Sequence, residues 1–174
     1  MGKRNFLIEG SSGSGKTSVC EELIRRGHHA IHGDRELAYQ GDPDTGEEVV
    51  ASGLEVHHHQ IWHLGKVKTL IQDRREEMTF FCGGSRNLMK FVDLFDAAFV
   101  LDVDVETLTR RLDARADDEW GGRGRHTERD LILRLHRTKE DMPRQSIRID
   151  ATAPLTEVVD EILERSRAAG AADR

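Results

Sequence analysis

Residues 10–17 read Gly10-Ser11-Ser12-Gly13-Ser14-Gly15-Lys16-Thr17 and fill every fixed position of G-x-x-x-x-G-K-[ST]. Phosphate oxygens need donors packed close together. Glycines let backbone N–H groups converge without side-chain clash, and the N-terminus of a following helix adds positive potential. Lys16 has the reach to meet β- and γ-phosphates, the Thr17 hydroxyl is placed for Mg²⁺, and Ser18 closes the candidate set. The alternative is a plain Gly/Ser turn with a solvated lysine. The apolar run before the motif and the helical stripe after it favour the phosphate cradle.

Three further clusters carry usable chemistry. Asp34 lies in "IHGDRE", directly after an apolar run, where ligands bind at the carboxyl edge of open α/β sheets. A hydroxyl attacking a phosphoryl group loses its proton, and a carboxylate there can accept it or orient Mg²⁺ through water. The plainer role is a turn aspartate capping the next helix. Arg35 beside it either contacts the second substrate or pairs with Glu36. In "CGGSRN", Gly83 and Gly84 allow close approach and Arg86 offers a cation to an anionic or polar group. A strand-to-helix turn with Ser85 or Asn87 as N-cap would look the same. In "LTRRLDARADDEWGGRGRH", Arg111 and Arg115 are four apart on one helix face, and Arg123 and Arg125 sit in a glycine-rich loop. Guanidiniums on a mobile arm can neutralise a transferring phosphoryl group and exclude water. They could equally form a solvated basic face with Asp113, Asp117 and Asp118.

Short apolar runs alternate with helical patterns. Strands are expected at "NFLIEG", "HHAIHGD", "MTFFCGG", "AAFVLDVD" and "SIRIDAT". The first helix carries Val19, Cys20, Leu23 and Ile24 as its stripe and ends at Gly27. "QGDPDTGEE" reads as a turn-rich loop, in which Asp42 and Asp44 form the turn or touch a ligand. One helix is expected from Gly53 to Glu77, with Ile61, Leu64, Val67, Lys68 and Ile71 on a broad face. "NLMKFVDLF" reads as a short helix. Asp104 is the N-cap of a helix running towards Arg115. Thr127 and Asp130 form a capping pair for the next one. Pro154 precedes a last helix striped by Leu155, Val158, Val159 and Ile162. "AAGAADR" reads as a frayed tail. The sum is an α/β fold: a five-stranded, mostly parallel sheet with helices on both faces, as one domain over residues 1–174.

On the P-loop, the arginine segment, Asp34, the Gly83–Arg86 loop and "IDATAP", the chain resembles the P-loop small-molecule kinases. That group contains adenylate, shikimate and nucleoside kinases and some antibiotic phosphotransferases. The resemblance implies a three-layer fold with an arginine-bearing lid at about 113–127. It implies ATP and Mg²⁺ as cofactors and a small-molecule acceptor as the partner. By resemblance, Lys16, Asp34, Arg115, Arg123 and Arg125 are catalytic, and Arg111 or Arg110 covers the adenine. Ala153 and Pro154 then supply backbone contacts to adenine. Gly83, Gly84, Arg86, Asp34 and Arg35 meet the acceptor, and Thr17 and Asp34 serve the metal. The third strand lacks the Asp-Gly of adenylate-kinase-like enzymes. The Phe-Arg of shikimate kinases and the Thr-Arg that grips a nucleoside monophosphate are also missing.

Bulk properties narrow the rest. The 174 residues carry 33% charged and 37% hydrophobic side chains and a formal net charge of −6. An acidic balance argues against general nucleic-acid binding. Two cysteines do not make a disulfide framework, and a reduced cytoplasm is the simpler expectation. No stretch approaches the roughly 18 apolar residues of a membrane span, the N-terminus lacks a signal-peptide core, and Gly2 lacks a myristoylation context. In "VHHHQIWHLGK", His59 and His63 are spaced as helical metal ligands can be, but packing, a polar face or acceptor recognition accounts for the run, and Trp62 belongs to the core or lends an aromatic face. A regulatory NTPase acting through a protein partner is the alternative class, though no N-K-x-D guanine motif is present. A binding protein without catalysis is the third.

Overall fold

The computed structural model describes residues 4–169. Its first strand explains the rest of the architecture. In β1 (Arg4–Gly10) every residue after Arg4 is buried. Phe6 and Ile8 enter the core under one sheet face, while Leu7 enters the core under the other. A strand covered on both faces reads as a continuous apolar run rather than an alternating one. β1 is therefore central, with β5 (Met78–Cys82) on one side and β6 (Ala97–Asp102) on the other. β2 (His29–His32) and β7 (Ile147–Asp150) complete an all-parallel sheet of order β2-β5-β1-β6-β7. All five expected strands are present, and the α/β fold is as the sequence implies.

Helix α1 (Lys16–Arg25) follows the glycine-rich turn and buries Val19, Cys20 and Leu23. Ile24, expected in that stripe, is exposed instead. Gly27 takes a positive φ of 84° and donates to the Ile24 carbonyl, ending the helix as expected. Helix α5 (Val105–Asp113) is capped by Asp104, whose carboxylate accepts from the Thr107 N–H at 2.6 Å. Helix α6 (His126–Thr138) starts at His126 with no side-chain cap, so the Thr127–Asp130 capping pair does not form. Helix α7 (Leu155–Ala169) buries Val158, Val159, Ile162 and Leu163. "NLMKFVDLF" forms two short 3₁₀ turns, 88–90 and 92–94, rather than a helix. Positions 170–174 of the expected tail, and Gly2, lie outside the described residues. Cys20 and Cys82 are buried free thiols, and burial pushes the Cys82 thiol up. Among the described residues, no helix is long and apolar enough to cross a membrane.

The largest departure lies in residues 33–72. After α2 (Gly33–Glu36) the chain forms a hairpin, β3 (Ala38–Gln40) against β4 (Gln60–Trp62), with α3 (Glu55–His58) inserted and α4 (Leu64–Gln72) following. The expected helix over Gly53–Glu77 is thus interrupted by a strand. The reason is a distant contact. The Trp62 N–H meets Ser85 Oγ at 3.0 Å and Asn87 Oδ1 at 3.1 Å, and Asn87 Nδ2 donates to the Trp62 carbonyl at 3.0 Å. Ser85 and Asn87, read as alternative N-caps, spend their side chains here. Backbone groups held this way cannot join an i→i−4 ladder.

Trp62 is completely buried and stacks on Phe91, with ring centroids 5.7 Å apart. Gly33 lies beneath it: a Cβ there would come within 2.0 Å of Trp62 Cζ2. Neither partner has room to yield. Gly33→Ala is therefore expected to destabilise the protein by about 1–3 kcal/mol through overpacking. Urea unfolding would show a lower midpoint; an unchanged midpoint would mean that Trp62 can move.

Candidate active site

The cradle forms at the carboxyl end of β1. Gly13 and Gly15 adopt φ of 91° and 108°, conformations that side chains rarely take. A Cβ on Gly13 would also meet Leu108 Cδ1 at 2.8 Å, so the loop packs on α5. Gly15 caps α1 without a side chain, which leaves the first-turn N–H groups facing outward. Lys16 Nζ donates to the carbonyls of Gly10 and, at 3.2 Å, Ser11. These are bonds that a phosphate could replace. Uncapped donors, glycine-only conformations and a lysine parked on its own loop fit a nucleotide triphosphate chain.

Above the cradle opens a cleft of ≈ 480 Å³, lined by residues 12–19 together with Asp34, Arg111, Arg115, Ala151, Ala153, Leu155 and Val158. Arg111 acts as a clamp. Its guanidinium donates to the Ser14 carbonyl at 2.9 Å and the Ala151 carbonyl at 2.8 Å, joining the cradle to the loop after β7. Arg115 donates to Ser12 Oγ at 3.1 Å and to the Trp120 carbonyl at 2.5 Å. Pro154 does not line the cleft; its carbonyl accepts from Glu157 and Val158 at the start of α7. Arg123 and Arg125 line neither cleft described here. Arg125 is half-exposed, bonds to the Asp118 carbonyl at 3.1 Å and faces Glu128 at 3.5 Å. The segment expected as a lid is folded onto α6, with the Gly121 N–H on Glu128 Oε2 at 3.0 Å.

A second cleft of ≈ 300 Å³ adjoins the first. It is lined by Glu9, Gly10, Gly84, Val56, His57, Gln60, Arg86, Trp120, Ile132, Leu135 and Asp141. Ser12, Lys16 and Asp34 line both clefts and so mark their junction. Asp34 Oδ1 accepts from the Gly84 N–H at 3.1 Å and from Gln60 Nε2 at 3.2 Å. Both bonds fall on one oxygen, and neither involves Oδ2. Gly83 and Gly84 do permit close approach, but to protein carboxylates. A Cβ on Gly83 would meet Asp34 Oδ1 at 2.6 Å, and one on Gly84 would meet Glu9 Oε1 at 2.8 Å.

Several expected contacts are arranged differently. Arg86 is not available to a ligand alone, because it forms a partly buried pair with Asp141 Oδ2 at 3.0 Å. Arg35 lines neither cleft and approaches Glu21 at 3.9 Å. Asp42 closes its own turn by accepting from Asp44 and Thr45, so the turn reading holds. His59 and His63 do not share a helix: His59 Nδ1 faces the Gly41 carbonyl at 3.3 Å and His63 stacks on Tyr39 at 3.9 Å. The aromatic wall of the second cleft is Trp120, not Trp62, and His57 stacks parallel to it. Burial, then the charge of Arg86, pushes His57 down to about 4, so it is neutral at physiological pH.

Sequence reasoning missed Glu9, Gln60, Trp120 and Asp141. Glu9 had a signal: a lone acidic residue inside the apolar run that precedes the cradle. It is 1% exposed, its Oε1 accepts from the Gly10 N–H at 3.0 Å, and Oε2 has no hydrogen-bond partner. Burial pushes its carboxyl up to about 7, against the pull of Lys16 and Arg86 and with a push from Asp34. The folded value lies above the unfolded one. The folded state therefore holds the proton more tightly, and stability falls as pH rises from about 4.5 to about 7. At about 1.4 kcal/mol per pH unit, the full cost above that window is about 3 kcal/mol. Glu9→Gln is expected to remove it. Urea titrations should show the variant more stable than wild type at pH 8 and level with it at pH 4. A constant difference across that range would refute the buried titration.

A glycine-rich cradle at the carboxyl end of a five-stranded parallel sheet of order β2-β5-β1-β6-β7 is a fold this chain shares with solved kinase structures. A family model described as "AAA domain" matches residues 7–132, and the chain belongs to that family. Among solved structures it is similar to shikimate kinase from Bacteroides thetaiotaomicron, with a TM-score of 0.60 and 14% identity over 92% of this chain and 97% of that one. It is also similar to a gluconokinase from Sinorhizobium meliloti 1021, with a TM-score of 0.55 and 18% identity over 97% and 95%. A sugar kinase from Janibacter sp. HTCC2649 aligns with a TM-score of 0.53 and 16% identity over 93% of each chain. No curated protein matches the chain.

Proposed function

We propose that this chain, as one domain, transfers the γ-phosphoryl group of ATP to a hydroxyl of a small-molecule acceptor. The observation that carries this reading is the junction of the two clefts at Ser12, Lys16 and Asp34. One cleft holds the donor, the other the acceptor, and the reacting atoms meet at the shared residues. The solved structures of similar fold are named as kinases, in agreement with transfer.

The acceptor oxygen forms a bond to the γ-phosphorus, and the bond from phosphorus to the β–γ bridging oxygen breaks, its electron pair leaving with ADP. The hydroxyl proton passes to Asp34 Oδ2, while Gln60 and the Gly84 N–H hold Oδ1 in place. Lys16 exchanges its loop carbonyls for phosphate oxygens. Arg115 neutralises charge on the transferring group, and Arg111 keeps the cradle and the adenine-side loop in register. Mg²⁺, held by Thr17 and by Asp34 through water, would supply further neutralisation of the phosphates.

The test is ADP release from Mg-ATP with a panel of nucleosides, nucleotides, sugars, cyclitols and small acids. Stimulation by an acceptor, with the phosphorylated product in equal amount, is the expected result. Slow hydrolysis that no acceptor changes would overturn transfer. Turnover that rises only with a protein partner would favour a regulatory NTPase.

A further inference from the structure

We infer that the acceptor is a non-anionic, polyhydroxylated molecule of about monosaccharide size, selected by the carboxyl groups of Glu9 and Asp141. This rests on the transfer reading above and names its substrate class.

The cleft carries three carboxyl groups, Glu9, Asp34 and Asp141, against two cations, Lys16 and Arg86. Lys16 belongs to the phosphate cradle. Arg86 is already matched: it pairs with Asp141 at 3.0 Å, and both side chains are partly buried, 16% and 10% exposed. His57 is held neutral. An incoming carboxylate or phosphate would thus meet no unmatched cation, the Asp34 carboxylate and a Glu9 carboxyl that repels it further once ionised. Desolvating an anion under those conditions is costly.

The same wall is short of donors. Glu9 Oε2 and Asp141 Oδ1 are both buried and without partners among the described residues, and both residues line this cleft. Buried acceptors left unpaired cost free energy unless a ligand or water satisfies them. Hydroxyls or amines on a ligand supply such donors. The cleft is also lined by Trp120, Ile132, Leu135 and Val56, apolar groups suited to the C–H face of a ring. At ≈ 300 Å³ the cleft is at the small end for ligand sites.

The experiment compares matched compounds: glucose, myo-inositol and glucosamine against gluconate, glucose 6-phosphate and shikimate. Binding is read by calorimetry with Mg-ADP present, and transfer by ADP release from Mg-ATP. At least one of the first three is expected to bind and react with kcat/KM tenfold or more above every anion. Glucose and glucosamine separate the neutral from the amine-bearing form. Asp141→Asn, which frees Arg86, is expected to shift the anion-to-neutral kcat/KM ratio at least tenfold towards anions. Glu9→Gln is expected to raise KM for the best neutral acceptor about tenfold, more than it raises KM for ATP. An anion preferred by wild type, or no binding by any compound of the first group, overturns the inference while leaving transfer to another acceptor standing. Neutral compounds that bind without turnover support the inference and overturn the transfer reading instead.

Discussion

Asp34→Asn is expected to lower kcat for acceptor phosphorylation by about a thousandfold, within the span that loss of a positioned general base produces. The substitution is nearly isosteric. The amide side chain would keep the oxygen that receives the Gly84 N–H and Gln60 Nε2, so the loop and hairpin stay in place. What disappears is the second oxygen's capacity to take a proton. The loss should therefore fall on kcat rather than on acceptor KM. Asp34→Glu should not rescue. Gly83 packs so close to Asp34 that even an added Cβ would sit 2.6 Å from Oδ1, and a longer side chain cannot keep that position. Single-turnover measurements with saturating Mg-ATP are the direct check, and a fall of less than tenfold would remove Asp34 from proton transfer.

Arg115→Met is expected to cost a similar factor, about a thousandfold in kcat, the lower end of what a charge-neutralising arginine contributes to phosphoryl transfer. Arg115 lies just beyond α5, and its guanidinium bridges Ser12 of the cradle and the Trp120 carbonyl. It thus touches both the first cleft and the segment that contributes Trp120 to the second. Burial pushes its pKa down, yet a guanidinium remains charged under all physiological conditions. Both of its bonds come from one nitrogen, Nη1. Arg115→Lys should still recover little, because the ammonium lacks the guanidinium's remaining planar donors for phosphate oxygens. Arg123→Ala and Arg125→Ala, outside both clefts, should change kcat by less than threefold. Equal losses at all three positions would mean that the segment rearranges on nucleotide binding.

The residues that were legible share a local cause. The cradle needs only consecutive glycines, one lysine and a hydroxyl, all within residues 10–17. The three central strands were legible because a sheet covered on both faces demands unbroken apolar runs, whereas the edge strands β2 and β7 bury only Ile31 and Ile149. Asp104 could be assigned as a cap because its partner, Thr107, is three residues away. The failures share a cause as well. Residues 53–77 have apolar spacing compatible with a helix, but Ser85 and Asn87, over twenty positions away, capture the Trp62 backbone and force a strand. That hairpin is what brings Gln60 to Asp34. Arg86 reads as a ligand cation until Asp141, 55 residues on, is seen to neutralise it.

Composition, periodicity and one short motif by themselves determined a parallel α/β sheet and a glycine-rich turn that opens a helix at its carboxyl edge, since both depend on neighbours in sequence. Only the tertiary structure decided the second half of the site. Whether a buried carboxyl is paired, orphaned or shared depends on charges from distant segments meeting in a space of low dielectric, where one added or missing partner reverses the balance. Glu9, Asp34, Arg86 and Asp141 come from four separate stretches of chain, and no spacing rule connects them.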